Sequence, residues 1–294
     1  LGVVPQDCQL TERSKGIPAW GELTDDARKV AARLMEVYAG FAEHTDYYAG
    51  VFLDALEEMG VLDNTLFIFS GDNGMNMGHH GIWGKGNGTF PLNMYDTSVK
   101  VPMIISRLGH VPQGLVDETL LSAYDIMPTL LDYTGVAWSN PEALPGRSFA
   151  PLLKGDTLPE REHVVVFDEY GPVRMIRSAE WKYVHRYPYG PNELYDLRRD
   201  PGETENLVDH PMVAARVAEM KTQLDEWFLR YADPALDGTR EAVTGKGQVD
   251  LAGTAGEGRR AYEADWWYID DDGIRRDDRA ILAGAILRKE ESER

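Results

Sequence analysis

The stretch LFIFSGDNGMNMGHHGIWGK, residues 66–85, changes character twice over a short distance. It begins with an apolar run at residues 66–70 that is typical of a buried β-strand. An acid–amide pair, Asp72 and Asn73, follows between glycines, and a glycine-rich loop then carries two histidines and a lysine. In open α/β sheets, ligands collect at the carboxyl ends of strands, where loops meet. The stretch therefore predicts a strand that leads directly into a ligand site.

Residues 24–59, before this strand, predict a long helix. Thr24 suits the N-cap, acidic residues follow it near the positive end of the helix dipole, and Gly60 stands where helices commonly end. Apolar residues recur at helical spacing between these ends. A helix joined by a short link to a buried strand is half of an α/β unit. We therefore expect an α/β fold in which residues 66–70 form a central strand of a covered sheet.

The rest of the chain divides into smaller patterns. A second buried strand is predicted at residues 101–106 and a short helix at residues 124–133. Beyond a segment rich in proline and glycine, an antiparallel sheet packed by an amphipathic helix at residues 212–231 is predicted. Its strands are Val164–Phe167, Val173–Arg177 and Trp181–Arg186. The predicted units are an α/β domain at residues 1–158, an α+β subdomain at 159–231 and an extended tail at 232–294.

Composition narrows the class of protein. The chain has 294 residues, 43% of them hydrophobic, and a formal net charge of -19. This charge argues against a nucleic-acid-binding surface, and an anionic substrate would need a metal or local cations. The single cysteine, Cys8, excludes an intrachain disulfide, and no apolar run is long enough to span a membrane. The start at Leu1 predicts a processed or truncated chain, and both cytoplasm and periplasm remain open as compartments.

Asp72 and Asn73 are candidate metal ligands. A carboxylate and an amide carbonyl are hard oxygen donors suited to Ca²⁺ or Mg²⁺, and the flanking glycines permit close approach of the backbone. The alternative is an Asx-rich turn in which both side chains bond to local backbone. From spacing alone, the turn is the more frequent outcome, because Asp-Asn-Gly is common turn chemistry.

Lys85, His79 and His80 are the candidate charged groups of the loop. A lysine fixed near a divalent ion could hold an oxygen of a sulfate or phosphate and stabilise charge on it. Adjacent histidine side chains on an extended loop diverge, so at most one of the two is expected to face the same site as Asp72. The alternative for all three is a solvated loop side chain.

Five stretches, taken in order, resemble the sulfatase family of the alkaline-phosphatase superfamily. The resemblance covers about residues 46–230. The five stretches read LDALEEMGVLDNTLFIFSGDNG, GHHGIWGKGNG, TSVKVPMIIS, SAYDIMPTLLDYTGV and NELYDLRRDPGETENL. The resemblance implies a hydrolase of sulfate monoesters on an alkaline-phosphatase-like fold. That fold is a mixed sheet flanked by helices, with a smaller C-terminal antiparallel sheet packed by a helix.

The resemblance also assigns roles to individual residues. Asp72 and Asn73 fall on the family's second pair of metal ligands, usually for Ca²⁺, with Mg²⁺ or Mn²⁺ also possible. Lys85 falls on the lysine that contacts the sulfate, and His80 on the histidine of a Gly-Glu-His-Gly pattern. The implied substrate is a sulfated small molecule or sugar. By analogy, the region of Tyr170, Arg174, His185 and Tyr187 could reach over the site.

The sequence departs from the family at the nucleophile. Sulfatases attack with a formylglycine made from the cysteine, or a serine in its place, of a Cys-x-Pro-x-Arg pattern. The only cysteine here lies in Cys8-Gln9-Leu10-Thr11-Glu12, without the proline or the arginine. The family's first Asp-Asp pair of metal ligands has no counterpart either. We therefore expect the C-terminal portion of a sulfatase that lacks the nucleophile half and is inactive alone. A partner is expected, either the N-terminal half of the same protein or another copy in a homo-oligomer.

Two other functions stay open. A phosphodiesterase or phosphonate monoester hydrolase would share the fold, the metal and the lysine. A non-catalytic sulfatase-like module for binding or assembly would keep the scaffold without the nucleophile.

Overall fold

The computed structural model describes residues 25–86, 89, 92–138, 141–168, 171–187, 190–237 and 239. Its first element is helix α1, Asp25–Glu58, which is continuous over 34 residues. The predicted cap residue Thr24, like Cys8, lies outside the described residues. At the other end, Gly60 has a φ of 68°, its N–H donates to the carbonyl of Glu57, and the N–H of Val61 donates to the carbonyl of Leu56. This pairing satisfies carbonyls at the helix end and confirms Gly60 as its terminator.

Strand β1, Phe67–Ser70, follows α1 as predicted, but its surroundings differ from the prediction. It pairs antiparallel with β4, Met103–Ser106, in a two-stranded sheet, and its residues are half-buried or exposed. The covered central position predicted for residues 66–70 is therefore not found in the described part of the chain. The reason is that β4 is the one strand described there as a partner for β1.

The rest of the α/β part packs around this sheet. Helix α3, Ile126–Thr134, confirms the helix predicted at residues 124–133 and begins after the 3-10 turn Ala123–Asp125. Helix α4, Ala150–Leu153, buries Phe149, Leu152 and Leu153 against the apolar residues of β4 and its neighbours. The carboxylate of Asp125 is fully buried and pairs with Arg161, which joins α3 to the start of the C-terminal sheet.

The C-terminal sheet has four antiparallel strands in sequence order: β5 Val164–Phe167, β6 Val173–Arg177, β7 Trp181–Arg186 and β8 Glu193–Asp196. The first three are confirmed at the predicted residues, and β8 was not predicted. Helix α5, Ala214–Tyr231, begins after the 3-10 turn Pro211–Val213. The turn and the helix together confirm the helix predicted at residues 212–231. The predicted boundary at residue 158 stays a prediction, and most of the tail from 232 lies outside the described residues.

The two faces of this sheet have different neighbours. One face packs Val165, Ile176, Tyr183 and Leu194 against α5, through buried residues of that helix. The opposite face packs Val173, Met175 and Val184 against Leu92 and Met94 of the segment that precedes β4. The sheet therefore supports this segment from behind.

Among the described helices, none combines the length and the apolarity that a membrane span requires.

Candidate functional site

A short hairpin brings the predicted site residues together. Strands β2, Asn76–Met77, and β3, Trp83–Gly84, pair antiparallel with Asn76 opposite Gly84. Because the Asp72-Asn73 turn ends two residues before β2 and Lys85 directly follows β3, the hairpin returns the lysine to the turn. The ammonium Nζ of Lys85 donates to Oδ1 of Asn73 at 3.0 Å. Lys85 itself is exposed, so its ammonium faces solvent as well as Asn73.

Asp72 and Asn73 also make the turn contacts of the alternative interpretation. The backbone N–H of Asn73 donates to Oδ1 of Asp72 at 2.8 Å, and Nδ2 of Asn73 donates to the carbonyl of Gly74 at 2.8 Å. The amide nitrogen of Asn73 is thus turned toward the backbone, which points its oxygen toward Lys85. A local turn and a ligand-facing oxygen are therefore compatible at this position.

The donor set fits a hard divalent cation in part. Asp72 offers a carboxylate on an exposed side chain, and Asn73 offers a carbonyl oxygen beside it, which are ligands that Ca²⁺ accepts. Ca²⁺ takes about six to eight oxygens, however. Across the described ranges there is no group of three or more His, Cys, Asp and Glu placed to hold a metal ion. These two residues could therefore supply two donors of a larger coordination sphere.

The two histidines diverge, as expected for neighbours in a loop. Nδ1 of His79 accepts from the backbone N–H of Met77 at 3.3 Å. His80 has a φ of 54°, in the left-handed region, and its ring stacks on Tyr95 with centroids 3.6 Å apart and planes 5° apart. A non-glycine residue held in this region marks a locally constrained backbone. The catalytic role predicted for His80 stays a prediction.

The stack continues into the C-terminal sheet. The ring of Tyr95 lies 6.2 Å from that of Tyr195 on β8. Burial raises the pKa of the Tyr95 hydroxyl, with a further contribution from Glu193. Tyr95 is therefore a neutral, half-buried ring that lies between His80 and the C-terminal sheet.

A buried polar network lies directly behind Lys85. Its members are Asn76, Asn93 and Ser98, exposed by 0%, 4% and 3%. Nδ2 of Asn76 donates to Oγ of Ser98, which donates to Oδ1 of Asn93. Sequence reasoning missed all three residues, because their bonds cross 22 and 5 positions and leave no local pattern.

A cluster of buried charges holds helix α2, Asp96–Val99, against the C-terminal sheet. Lys182 is fully buried and pairs with Asp96 and Glu203, and Arg177 also bonds to both carboxylate oxygens of Asp96. Burial alone would raise the pKa of Asp96, but Lys182 and Arg177 outweigh it and hold that pKa below its ordinary value. Burial raises the pKa of Glu203, and Lys182 opposes this only in part.

The region predicted by analogy to reach over the site faces elsewhere. Arg174 is buried, lies over the ring of Phe228 on α5 at 3.6 Å and pairs with Asp237. The hydroxyl of Tyr183 and Nδ1 of His185 lie 2.8 Å apart on the same side of the sheet. These side chains belong to the α5 face, whereas Leu92 and Met94 pack on the other. The hydroxyl of Tyr187 donates to Asp225 of α5. The analogy is therefore wrong for Arg174, His185 and Tyr187, and Tyr170 lies outside the described residues.

Two family models match the chain. The model described as "N-sulphoglucosamine sulphohydrolase, C-terminal" matches residues 78–229, more than half of the chain. The model described as "Sulfatase" matches residues 5–136. The matched ranges together include Asp72, Asn73, His80 and Lys85.

Curated relatives carry the same family name. A choline-sulfatase of Rhizobium meliloti is 33% identical over 190 residues, which are 61% of this chain and 34% of that protein. An arylsulfatase of Clostridium perfringens is 31% identical over 222 residues, which are 74% of this chain and 43% of that protein. The chain therefore spans between a third and a half of the length of these relatives.

Solved structures share the fold. The phosphonate monoester hydrolase of Agrobacterium radiobacter is 28% identical, with a TM-score of 0.60 over 72% of this chain and 44% of that one. A protein solved with its substrate D-glucosamine-2-N,6-O-disulfate is 26% identical, with a TM-score of 0.57 over 71% of this chain and 42% of that one. Together with the family models, these likenesses confirm the alkaline-phosphatase-like α/β fold. The chain belongs to the sulfatase family.

Proposed function

We propose that this chain supplies the part of a sulfuric ester hydrolase that contacts the metal and the sulfate. Lys85 binds a sulfate oxygen, Asp72 and Asn73 bind a divalent cation, and His80 is the candidate proton donor to the leaving oxygen. The observation that carries the proposal is the 3.0 Å contact between Nζ of Lys85 and Oδ1 of Asn73. This contact supports a site at which the ammonium of Lys85 and a cation bound by Asn73 could contact the same anion.

Lys85 has a clear electrostatic task in this proposal. The chain carries a formal net charge of -19, so an approaching sulfate meets a repulsive field unless local cations reverse it. An ammonium already in place beside the reacting sulfate stabilises charge that grows on its oxygens, without reorganisation during the reaction. A bound Ca²⁺, or Mg²⁺ or Mn²⁺ in its place, would add electrophilic polarisation of the same oxygens.

The proposed substrate is a sulfate monoester of a small molecule or a sugar. The relatives, a choline-sulfatase among them, and the structure solved with D-glucosamine-2-N,6-O-disulfate support this class. We propose further that the chain alone does not turn over sulfate esters. Cys8 lacks the proline and arginine of the formylglycine pattern, and the described residues offer two ligands for the cation.

A second candidate function is a phosphonate monoester hydrolase, favoured by the similar fold of the Agrobacterium radiobacter enzyme. Sulfate and phosphonate monoesters both carry one negative charge at neutral pH, so net charge does not choose between them, and the two matching family models favour the sulfate ester. A non-catalytic module of the same fold would bind neither anion through Lys85.

Calorimetric titration of the chain with sodium sulfate and with methylphosphonate, with and without CaCl₂, tests these functions. We expect sulfate binding that requires Ca²⁺, is weakened about tenfold or more in Lys85→Ala and is preferred over the phosphonate. Lys100→Ala, at another exposed lysine, is the matched control and should bind as the parent does. Tighter phosphonate binding would favour the second function, and no binding of either anion would favour the non-catalytic module. Turnover of 4-nitrophenyl sulfate by the chain alone would contradict its proposed inactivity.

A further inference from the structure

Three consecutive backbone carbonyls around Lys85 are held by two asparagine side chains. Nδ2 of Asn76 donates to the carbonyl of Gly84 at 3.1 Å. Nδ2 of Asn93 donates to the carbonyls of Lys85 at 3.2 Å and Gly86 at 3.1 Å, and the backbone N–H of Asn93 adds a bond to Gly86 at 3.0 Å. The peptide groups on both sides of the Lys85 Cα are thus fixed, although its side chain is exposed.

One hydroxyl joins the two asparagines. Oγ of Ser98 accepts from Nδ2 of Asn76 at 2.6 Å and donates to Oδ1 of Asn93 at 2.6 Å. All three side chains are almost fully buried, so each lost bond would leave a polar atom without water to replace the partner. The direction of the chain of bonds also fixes which end of the Asn93 amide faces the loop. The oxygen of that amide faces Ser98 and its nitrogen faces the Lys85 carbonyl.

Ser98 reaches the metal-ligand turn as well. Its backbone carbonyl accepts from the N–H of Gly74 at 2.9 Å, immediately after Asn73. A single residue of α2 therefore bonds to the turn through its backbone and to the lysine loop through its side chain. The distance between Lys85 and Asn73 depends on both attachments.

We propose that Ser98 is a positioning residue for Lys85, acting through Asn76 and Asn93 to direct the ammonium toward the sulfate. This inference rests on the proposed function, in which Lys85 binds the sulfate. Its physical basis is that a long exposed side chain has many rotamers, so the direction of its Cα–Cβ bond decides which of them reach the anion. An error of about 1 Å in such placement can lower rates about a hundredfold.

A double-mutant cycle separates positioning from general support of the fold. In Ser98→Ala we expect sulfate affinity in the presence of CaCl₂ to fall about tenfold, because the buried hydrogen bonds that place the lysine loop are lost. In a Lys85→Ala background the same substitution should change the residual affinity by less than about twofold, because no ammonium remains to be placed. Ser98→Thr keeps the hydroxyl and should restore most of the affinity.

Ser148→Ala is the matched control, since that hydroxyl bonds to the exposed Asp132 on another helix and should leave sulfate affinity unchanged. An equal loss in the Lys85→Ala background would show a general structural role and overturn the proposal. So would failure of Ser98→Thr to restore binding while Ser98→Ala remains folded.

Amide hydrogen exchange keeps the two proposals distinguishable. The Asn93 N–H, bonded to Gly86, should exchange about tenfold faster in Ser98→Ala, whereas the Val184 amide in the sheet should not change. If the parent chain bound no sulfate, the proposed function would fail. The link from Ser98 to the lysine loop would then stand or fall on the exchange of Asn93, and unchanged exchange would overturn it.

Discussion

The ammonium of Lys85 lies 3.0 Å from the side-chain oxygen of Asn73, twelve residues away along the chain. The β2–β3 hairpin closes this distance, since Asn76 stands opposite Gly84 and the flanking residues must then meet. The contact joins the acid–amide turn and the glycine-bracketed lysine, two features that are separate in the sequence, into one candidate anion site. Its geometry therefore depends on residues other than Lys85 and Asn73 themselves.

Gly74 provides one test of this dependence. A Cβ at Gly74 would lie 2.1 Å from the carbonyl oxygen of Thr97, so Gly74→Ala must push the turn away from α2. We expect a loss of about 1–3 kcal/mol in the free energy of unfolding, measured by urea denaturation, and weaker Ca²⁺-dependent sulfate binding. Gly71→Ala is the matched control, because its nearest neighbour would lie at 3.4 Å. Equal effects of the two substitutions would contradict the close packing at Gly74.

Breaking the buried charge cluster should lower the free energy of unfolding much more than breaking an exposed ion pair. Lys182→Met removes the ammonium between Asp96 and Glu203 and leaves the buried carboxylate of Glu203 without it, which should cost about 3–5 kcal/mol in the free energy of unfolding. Arg198→Met breaks the exposed pair with Glu180 and should cost about 1 kcal/mol or less. Urea denaturation at neutral pH compares the two variants, and similar values would argue against a structural role of the cluster.

His185 predicts a pH dependence of stability. Burial, followed by the positive charge of Lys221, lowers the pKa of His185 from 6.5 to about 4. As the pH falls from about 6.5 to about 4, the unfolded chain gains a proton at this residue that the folded chain does not, so stability decreases. His185→Gln should flatten the part of the curve that this residue causes.

Urea midpoints measured at intervals between pH 7 and pH 4 check this prediction. His44→Gln, at an exposed histidine on α1, is the matched control for the loss of an imidazole side chain. Asp96, whose pKa is lowered, adds its own loss of stability at lower pH in all these proteins. A slope that His185→Gln leaves unchanged would assign the effect to other groups, such as these carboxylates or His163, whose pKa burial also lowers.

Asp72 is the residue whose removal tests the cation site directly. Ca²⁺ affinity in such sites depends on the number of charged ligands, so Asp72→Ala should weaken Ca²⁺ binding about tenfold or more. Asp63→Ala removes another exposed carboxylate before the same strand and should have little effect. Isothermal titration with CaCl₂ measures both, and equal weakening would indicate general attraction to an acidic surface.

The sequence predicted the regular elements best where the apolar pattern was strong. Strands β5, β6 and β7 lie at the predicted residues, and α1 and α5 follow the predicted helical spacing. The fourth strand, Glu193–Asp196, was missed because its charged ends hide a buried centre, Leu194 and Tyr195. The burial of Lys182 and Arg186 was not predicted either, because a period-two pattern does not distinguish a buried, paired cation from an exposed one.

The candidate site was predicted in part. Residue types and the family resemblance pointed to Asp72, Asn73 and Lys85, and the structure places Lys85 beside Asn73. Nothing local in the sequence pointed to Asn76 or Ser98, because their partners are distant in the chain. The side of the sheet on which Arg174 and His185 lie was also beyond prediction, since strand alternation defines two faces without saying which one meets α5.

Helix α2 is only four residues long, far below the length of roughly a dozen at which an isolated helix begins to persist in water. The contacts of Lys182 and Glu203 with Asp96, its first residue, therefore hold its orientation. Selection for altered sulfate affinity should therefore recover substitutions on β7 and near Glu203 as readily as substitutions beside Lys85, because those residues position α2.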